Sequence, residues 1–312
     1  MRFIILSLIF LGLLGPTSVL AKEYALQRDD QELVVDIHFL VPAKRKQEVL
    51  SWVEFVADSL AGVYGRWPRD SWRVEVTPVT LYSDDPVPWA QVHRGDPDTV
   101  SLYIDAMAST EKLRHNWTAY HEFSHLLIPY RGWGDMWFSE GLASYYQNLL
   151  QARAGLLDET EMWQKLYEGF KRGQSNRRPD LSLAELSSRM RENRSYMRVY
   201  WSGAWYFLRA DVELRRRTHS TQSLDTALAQ LNACCADRAM SARQMAARLD
   251  QLTGQELFLP LFDQVAASQD IPAFDTLFAE LGLRIENDRV ILEAGAAGVS
   301  IREGICRGRG QG

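Results

Sequence analysis

Residues 121–125 read His-Glu-Phe-Ser-His. Two histidines four residues apart share one face of an α-helix, about 6 Å apart along its axis. So placed, each can give one ring nitrogen to a single zinc ion, while Glu122 points off that face and can act on water as a general base. A catalytic zinc takes a third protein ligand and keeps its fourth position open. The candidate is Glu140, within Trp137-Phe138-Ser139-Glu140-Gly141-Leu142-Ala143-Ser144-Tyr145-Tyr146. Pro129, Gly132 and Gly134 break the chain between the two segments. A second helix starting near Met136 can therefore double back and turn its first-turn carboxylate to the imidazoles. The pattern implies one Zn2+ ion held by His121, His125 and Glu140. Only six histidines occur in the chain, which makes two at ligand spacing a specific signal. The plainer alternative is a pair of histidines hydrogen-bonded inside a helical core.

Apolar spacing predicts strands before this motif and helices after it. Alternation marks strands at 32–41, 72–81, 87–93 and 100–105, with an amphipathic helix over 43–64. Turn clusters at Ser83-Asp84-Asp85-Pro86 and Arg94-Gly95-Asp96-Pro97-Asp98 separate the strands. Helices are then expected over 109–128, 137–153, 158–171, 182–192, 196–217, 223–232, 241–252, 255–267 and 272–281. Ser182 with Glu185 and Ser241 with Gln244 carry capping-box signatures. A short strand or irregular tail is expected near 284–302, and a frayed end at the terminal Arg-Gly-Arg-Gly-Gln-Gly. The fold class is α+β: a zinc-binding α/β subdomain over 22–153 and a mainly helical subdomain over 154–312.

Residues 1–21 are set apart. A positive start at Arg2, an apolar run from Phe3 to Leu14, and Val19-Leu20-Ala21 give the order of a secretory signal peptide. That run is short of the about 20 residues a spanning helix needs; an uncleaved anchor is the alternative. Export to a periplasmic or extracellular space is the expectation, with no stable membrane span after cleavage. A net charge of −5 without a basic block speaks against nucleic acid as a partner. Arg215-Arg216-Arg217 reads as a solvated helix end. Cys234, Cys235 and Cys306 lack metal-site spacing. In an exported protein Cys306 could pair with either neighbour of the vicinal couple, or all three could be free thiols.

These motifs resemble those of the gluzincin metallopeptidases, among them thermolysin and aminopeptidase N. The likeness is greatest to the aminopeptidase-N-like and glycyl-aminopeptidase-like branches. Their zinc helix is followed by a Trp-x-x-Glu-Gly-x-x-x-Tyr helix, matched here by Trp137 to Tyr145. Their later Tyr-x-x-Gly helix supplies a tyrosine that helps bind the oxyanion, and Tyr200-Trp201-Ser202-Gly203 matches it in type and order. The resemblance implies a thermolysin-like catalytic domain, with a small mixed sheet and a zinc helix, hydrolysing a peptide or protein substrate. Glu122 and Tyr200 would be its catalytic residues. Tyr200 could also be one aromatic of a core helix that holds Tyr196, Trp201, Trp205 and Tyr206.

The sequence departs from those branches at the strand before the zinc helix. There the aminopeptidases carry a Gly-x-Met-Glu-Asn-like segment whose glutamate grips the substrate amine. Pro88-Trp89-Ala90-Gln91-Val92-His93-Arg94 holds no acid, so aminopeptidase specificity does not carry over. Extended substrate could still pair with an edge strand at 89–93. His93 and Arg94 could position substrate, with surface loop residues as the plainer reading; His115 reads as structural, and Trp133 and Trp137 as packing around the interhelical loop. Besides a peptidase, a zinc-retaining binding or assembly factor of the cell envelope and a hydrolase of non-peptide amides fit the residues. Oligomeric state has no signature in the sequence.

Overall fold

The computed structural model describes residues 22–38, 42–79, 85–130, 132, 134–176, 178–295 and 297–308. The expected signal segment, the turn at Ser83-Asp84, Trp133 and the last four residues of the tail lie outside them.

The strand-rich part runs β1 (Lys22–Arg28), β2 (Gln31–Ile37), α1 (Ala43–Tyr64), β3 (Ser71–Val79), β4 (Trp89–His93) and β5 (Asp98–Asp105). Next come α2 (Thr110–His115), α3 (Trp117–Ser124), a 3-10 turn at His125–Leu127 and α4 (Met136–Arg153). The remaining helices are α5 (Glu159–Ser175), α6 (Leu183–Ser188), α7 (Met190–Asn193), α8 (Tyr196–Arg217), α9 (Leu224–Cys235), α10 (Ala242–Thr253), α11 (Phe258–Ala266) and α12 (Phe274–Glu280). A hairpin of β6 (Leu283–Glu286) and β7 (Arg289–Leu292) precedes α13 (Val299–Arg307). The α+β class is as expected.

Five strands form one mixed sheet in the order β1-β2-β3-β5-β4. β2, β3 and β5 run parallel, while β1 and β4 pair antiparallel at the two edges. Alternation sends Trp72, Val74 and Val76 of β3 and Val100, Leu102 and Ile104 of β5 into the core. Val49, Trp52, Val53, Val56 and Leu60 of α1 are buried in the same cluster. That cluster is continuous from Leu33 of β2 to Ile305 of α13.

Local chemistry explains where the expected elements shift. The helix expected over 109–128 breaks at Asn116, whose extended backbone ends α2 and whose side chain accepts from the Thr118 N–H to start α3. The segment over 182–192 breaks at Arg189 for want of a helical ψ there. Both expected capping boxes form, and Asp158 with Glu161 and Ser223 with Thr226 add two more. β1 was not expected: none of its side chains is fully buried, and only Tyr24 and Leu26 pack against the core. The tail is more ordered than expected. Asn287 and Asp288 both adopt positive φ, as a two-residue hairpin turn requires, and α13 follows.

Two expectations about side chains are corrected. Cys234 and Cys235 are bonded to each other, and Cys306 is free. Cys306 lies on α13, which packs against α4 and α8 rather than α9, so neither member of the couple is in reach. Arg215 is not solvated: it is buried and bonds Asp211 one turn earlier at 2.9 Å. Arg216 and Arg217 are the exposed pair, engaging Glu213 and Glu280.

Helices α4 and α8 approach to backbone contact. A methyl group on Gly141 would fall 2.2 Å from the Cα of Gly203, and one on Gly203 would fall 1.9 Å from the Trp137 carbonyl oxygen. Only glycine at both positions permits this approach. Glu140 and Tyr200 flank this contact, one on each helix.

Candidate active site

Helix α3 starts at the Asn116 cap and carries His121, then hands His125 to the 3-10 turn. Helix α4 returns against it and brings Glu140 over the pair. His121 Nε2 lies 3.2 Å and His125 Nε2 3.7 Å from the same carboxylate oxygen of Glu140. Among the described residues, His121, His125 and Glu140 form the one set of three or more ligating side chains this close, with donor atoms within 4.8 Å of one another. The three expected metal ligands therefore do meet.

The donor chemistry fits a divalent zinc ion. Each histidine has its outer nitrogen engaged elsewhere: His121 Nδ1 with Gln147 Oε1 at 2.8 Å, and His125 Nδ1 with the Ser139 hydroxyl at 2.9 Å. Such contacts hold each ring so that Nε2 points inward, the orientation a histidine ligand needs. Two imidazoles and a carboxylate with room for water are the donor set of a catalytic zinc.

Electrostatics at the site follow from burial and from the crowding of charge. Burial pushes the Glu122 carboxyl up to about 7, reinforced by Glu140 and opposed by His121 and by a hydrogen bond from the Val92 N–H. Burial also lowers His125 to about 3, so its ring is neutral near pH 7. For His121, burial is outweighed by the hydrogen bond and charge of Glu140, and the ring is raised above its ordinary value. Glu140 in turn is held below its ordinary value: burial would raise it, but His125 and hydrogen bonds from His121 and Tyr200 prevail. Tyr200 is raised, first by burial and then by Glu140 and Glu122. Its ring stacks on His121 with centroids 5.9 Å apart.

Tyr200 is thus at the triad rather than buried among the aromatics of α8. Trp201, Trp205 and Tyr206 do enter the core. Trp137 is fully buried, as expected. His115 is exposed and bonds Glu111 within α2, outside the ligand set. His93 is exposed on β4. Arg94 is different from expectation: its guanidinium donates to the carbonyls of His125 and Ile128 and pairs with Asp98. Arg69 joins the same carboxylate at 2.9 Å. The reason is positional, since β4 ends beside the end of the zinc-type helix, where carbonyl groups lack intrahelical partners. Arg94, Gln147 and Ser139 are the site-supporting residues that sequence reasoning missed. Gln147 stands two turns after Glu140 on α4, so its helical spacing held a signal.

Residues 132–206 match the family model of the M61 glycyl aminopeptidases. The matched stretch contains Glu140 and Tyr200 and begins after the two histidines. Among solved structures, an aminopeptidase N family protein from Idiomarina loihiensis superposes with a TM-score of 0.63 at 14% identity, covering 85% of this chain and 50% of that one. An M1 zinc metallopeptidase from Deinococcus radiodurans gives a TM-score of 0.51 at 15% identity, covering 81% of this chain and 52% of the other. The chain is similar to the gluzincin metallopeptidases. It spans about half the length of those structures. No curated protein gives a significant match. The likeness in fold takes in 85% of this chain.

Proposed function

We propose that the chain is a zinc-dependent peptidase hydrolysing peptide bonds, with Glu122 as general base. The observation that carries this reading is the convergence of His121, His125 and Glu140, with Glu122 beside them and each imidazole oriented from behind. When bound by that triad, a single zinc ion supplies Lewis acidity, making water nucleophilic near neutral pH and polarising a carbonyl. The rest falls to the chain. Glu122 accepts the proton of the attacking water and returns it to the departing amine. The Tyr200 hydroxyl, which donates to Glu140 in this structure, turns to donate to the developing oxyanion. Edge strand β4 offers its free backbone groups to an extended substrate. Val92 at the same time holds the base by its N–H.

Supporting the substrate class, a Deinococcus radiodurans M1 zinc metallopeptidase with the same fold (TM-score 0.51, 17% identity) was solved with a Tyr-Ser-Ala substrate. The same reading includes a thermolysin-like catalytic arrangement within 22–153, a helical subdomain over 154–312, and export directed by 1–21. Among the described residues no helix is long and apolar enough to cross a membrane. A binding factor without catalysis has no use for Glu122 beside a complete triad, which favours the enzyme.

Peptide-library hydrolysis by the purified, zinc-loaded chain is the test. The wild type cleaves and loses activity to a chelator. Glu122→Gln keeps its zinc and loses hydrolysis, and Tyr200→Phe loses on the order of 10²–10³ in turnover. Full activity in Glu122→Gln refutes the base assignment, and no cleavage by the wild type refutes the peptidase.

A further inference from the structure

Large apolar side chains left in water are worth explaining when they gather at one place. Among the described residues five are exposed: Trp89, Met107, Trp117, Tyr196 and Ile291. Two of them extend the helix faces that carry His121 and Tyr200. Trp117 is 47% exposed and lies one helical turn before His121 on α3. Residues four apart share a face, so its indole continues the ligand face outward. It meets the His121 ring edge-on with centroids 5.7 Å apart. Tyr196 is 38% exposed and stands one turn before Tyr200 on α8. Trp117, His121, Tyr200 and Tyr196 thus follow one another along one side of the site, with the two outer rings open to solvent.

Trp89 does not belong to this wall. On β4, Ala90 and Val92 pair with Leu102 and Val100 and turn with them to the core. Trp89 pairs with Tyr103 and meets its ring at a tilt, centroids 4.6 Å apart, on the opposite face of the sheet. Met107 and Ile291 lie on neither α3 nor α8.

We propose that Trp117 and Tyr196 form an aromatic wall that selects peptides carrying a large aromatic side chain next to the scissile bond. This rests on the peptidase reading of the same site and adds its substrate class. A backbone paired along β4 projects side chains alternately to either side, and one beside the triad meets these rings. Aromatic rings associate edge-to-face or offset beyond what area burial alone gives. A phenylalanine at that position can pack its ring against an exposed ring of the wall, whereas an alanine covers little of it.

The test uses the full chain with Glu122→Gln, zinc-loaded, so that binding is read apart from turnover. Calorimetry is run with blocked hexapeptides of alanine bearing phenylalanine, leucine, lysine or alanine at one central position. The phenylalanine peptide should bind about tenfold tighter than the all-alanine one, within the range one apolar pocket contact commands. Adding Trp117→Ala or Tyr196→Ala should shrink that ratio severalfold, and both together bring it near one. Ile291→Ala, remote on β7, should leave it unchanged. A ratio near one in the parent, a ratio that survives the double replacement, or no binding of any peptide overturns the proposal. Wild-type hydrolysis of the same set separates the two readings. Cleavage without preference sinks the aromatic wall alone, whereas selective binding with no cleavage sinks the peptidase and leaves the wall.

Discussion

Helix α3 is eight residues long, starts at a side-chain cap and runs into a tightened turn. Helix α4 has 18 residues and is buried along most of its length. Both present ligating groups to one point, but they are held there differently. The end of α3 is tethered by charge: Arg94 spans its terminal carbonyls and Asp98, with Arg69 behind. The start of α4 is held by shape, its Gly141 against Gly203 of α8. A polar tether can stretch or take in water. A glycine-to-glycine contact admits no added atom, and it fixes Glu140 and Tyr200 relative to each other. The carboxylate and the tyrosine are therefore set by packing, and the two imidazoles partly by hydrogen bonds.

The contrast is broken most severely at the glycines. Gly203→Ala places a methyl 1.9 Å from the Trp137 carbonyl oxygen, inside any permitted contact. Neither backbone can yield without moving a whole helix. Overpacking usually costs 1–3 kcal/mol, and because backbone meets backbone here about 3 kcal/mol or more is expected. Chemical denaturation should show that loss, together with weakened zinc binding as Glu140 leaves the histidines. An alanine variant with wild-type stability and zinc affinity would mean that α4 is not positioned by this contact.

At the polar tether the effect is smaller and depends on pH. Burial pushes Asp98 up, but Arg94, Arg69 and the Gly95 N–H outweigh it and hold the carboxyl below its ordinary value. A carboxyl lowered in the folded state contributes stability above its unfolded pKa, near 4, and loses it as pH falls through the folded value. Arg94→Ala removes one of the two arginines, so acid unfolding should begin at a higher pH. Near neutrality the loss should be about 2 kcal/mol, the scale for removing charge-assisted hydrogen bonds. Thermal melts across pH 3 to 7 read both effects. An unchanged acid limb would show that Asp98 is held without Arg94 and that Arg94 does not tether the helix end.

How far the sequence discloses this site depends on the distance over which each part is decided. His121, Glu122 and His125 lie within two turns of one helix, so spacing alone gives their faces. Glu140 needed one further inference, that the glycines between would let the chain double back, and Tyr200 needed a family resemblance. Arg94 was hidden because its role is fixed by strand order. β4 is the sheet edge beside α3 only because β5, later in the chain, inserts between β3 and β4, and no local pattern encodes that. The glycine contact was hidden for the same reason, since Gly141 and Gly203 are helix-interior glycines whose partner is another helix. The vicinal disulfide was not among the open alternatives, which were a link from Cys306 to either neighbour or three free thiols.

The finest test separates the two supports behind the imidazoles. Gln147 comes from the packed helix, two turns after Glu140, and its carbonyl oxygen can only accept. It therefore requires the proton of His121 at Nδ1 and leaves Nε2 for the metal. Ser139 offers His125 a hydroxyl, which donates or accepts equally well, so it orients the ring without fixing its proton. Zinc uptake also displaces the His121–Glu140 contact. Losing a contact behind a metal-bound histidine costs roughly 10–100-fold in affinity. Gln147→Leu should cost about tenfold at the low end of that range, and Ser139→Ala less, because water can replace a hydroxyl on a ring already neutral. Competition against a chelator of known affinity, at fixed pH, gives both values. The reverse order would mean that the polar side of the site, rather than α4, decides which nitrogen faces the metal.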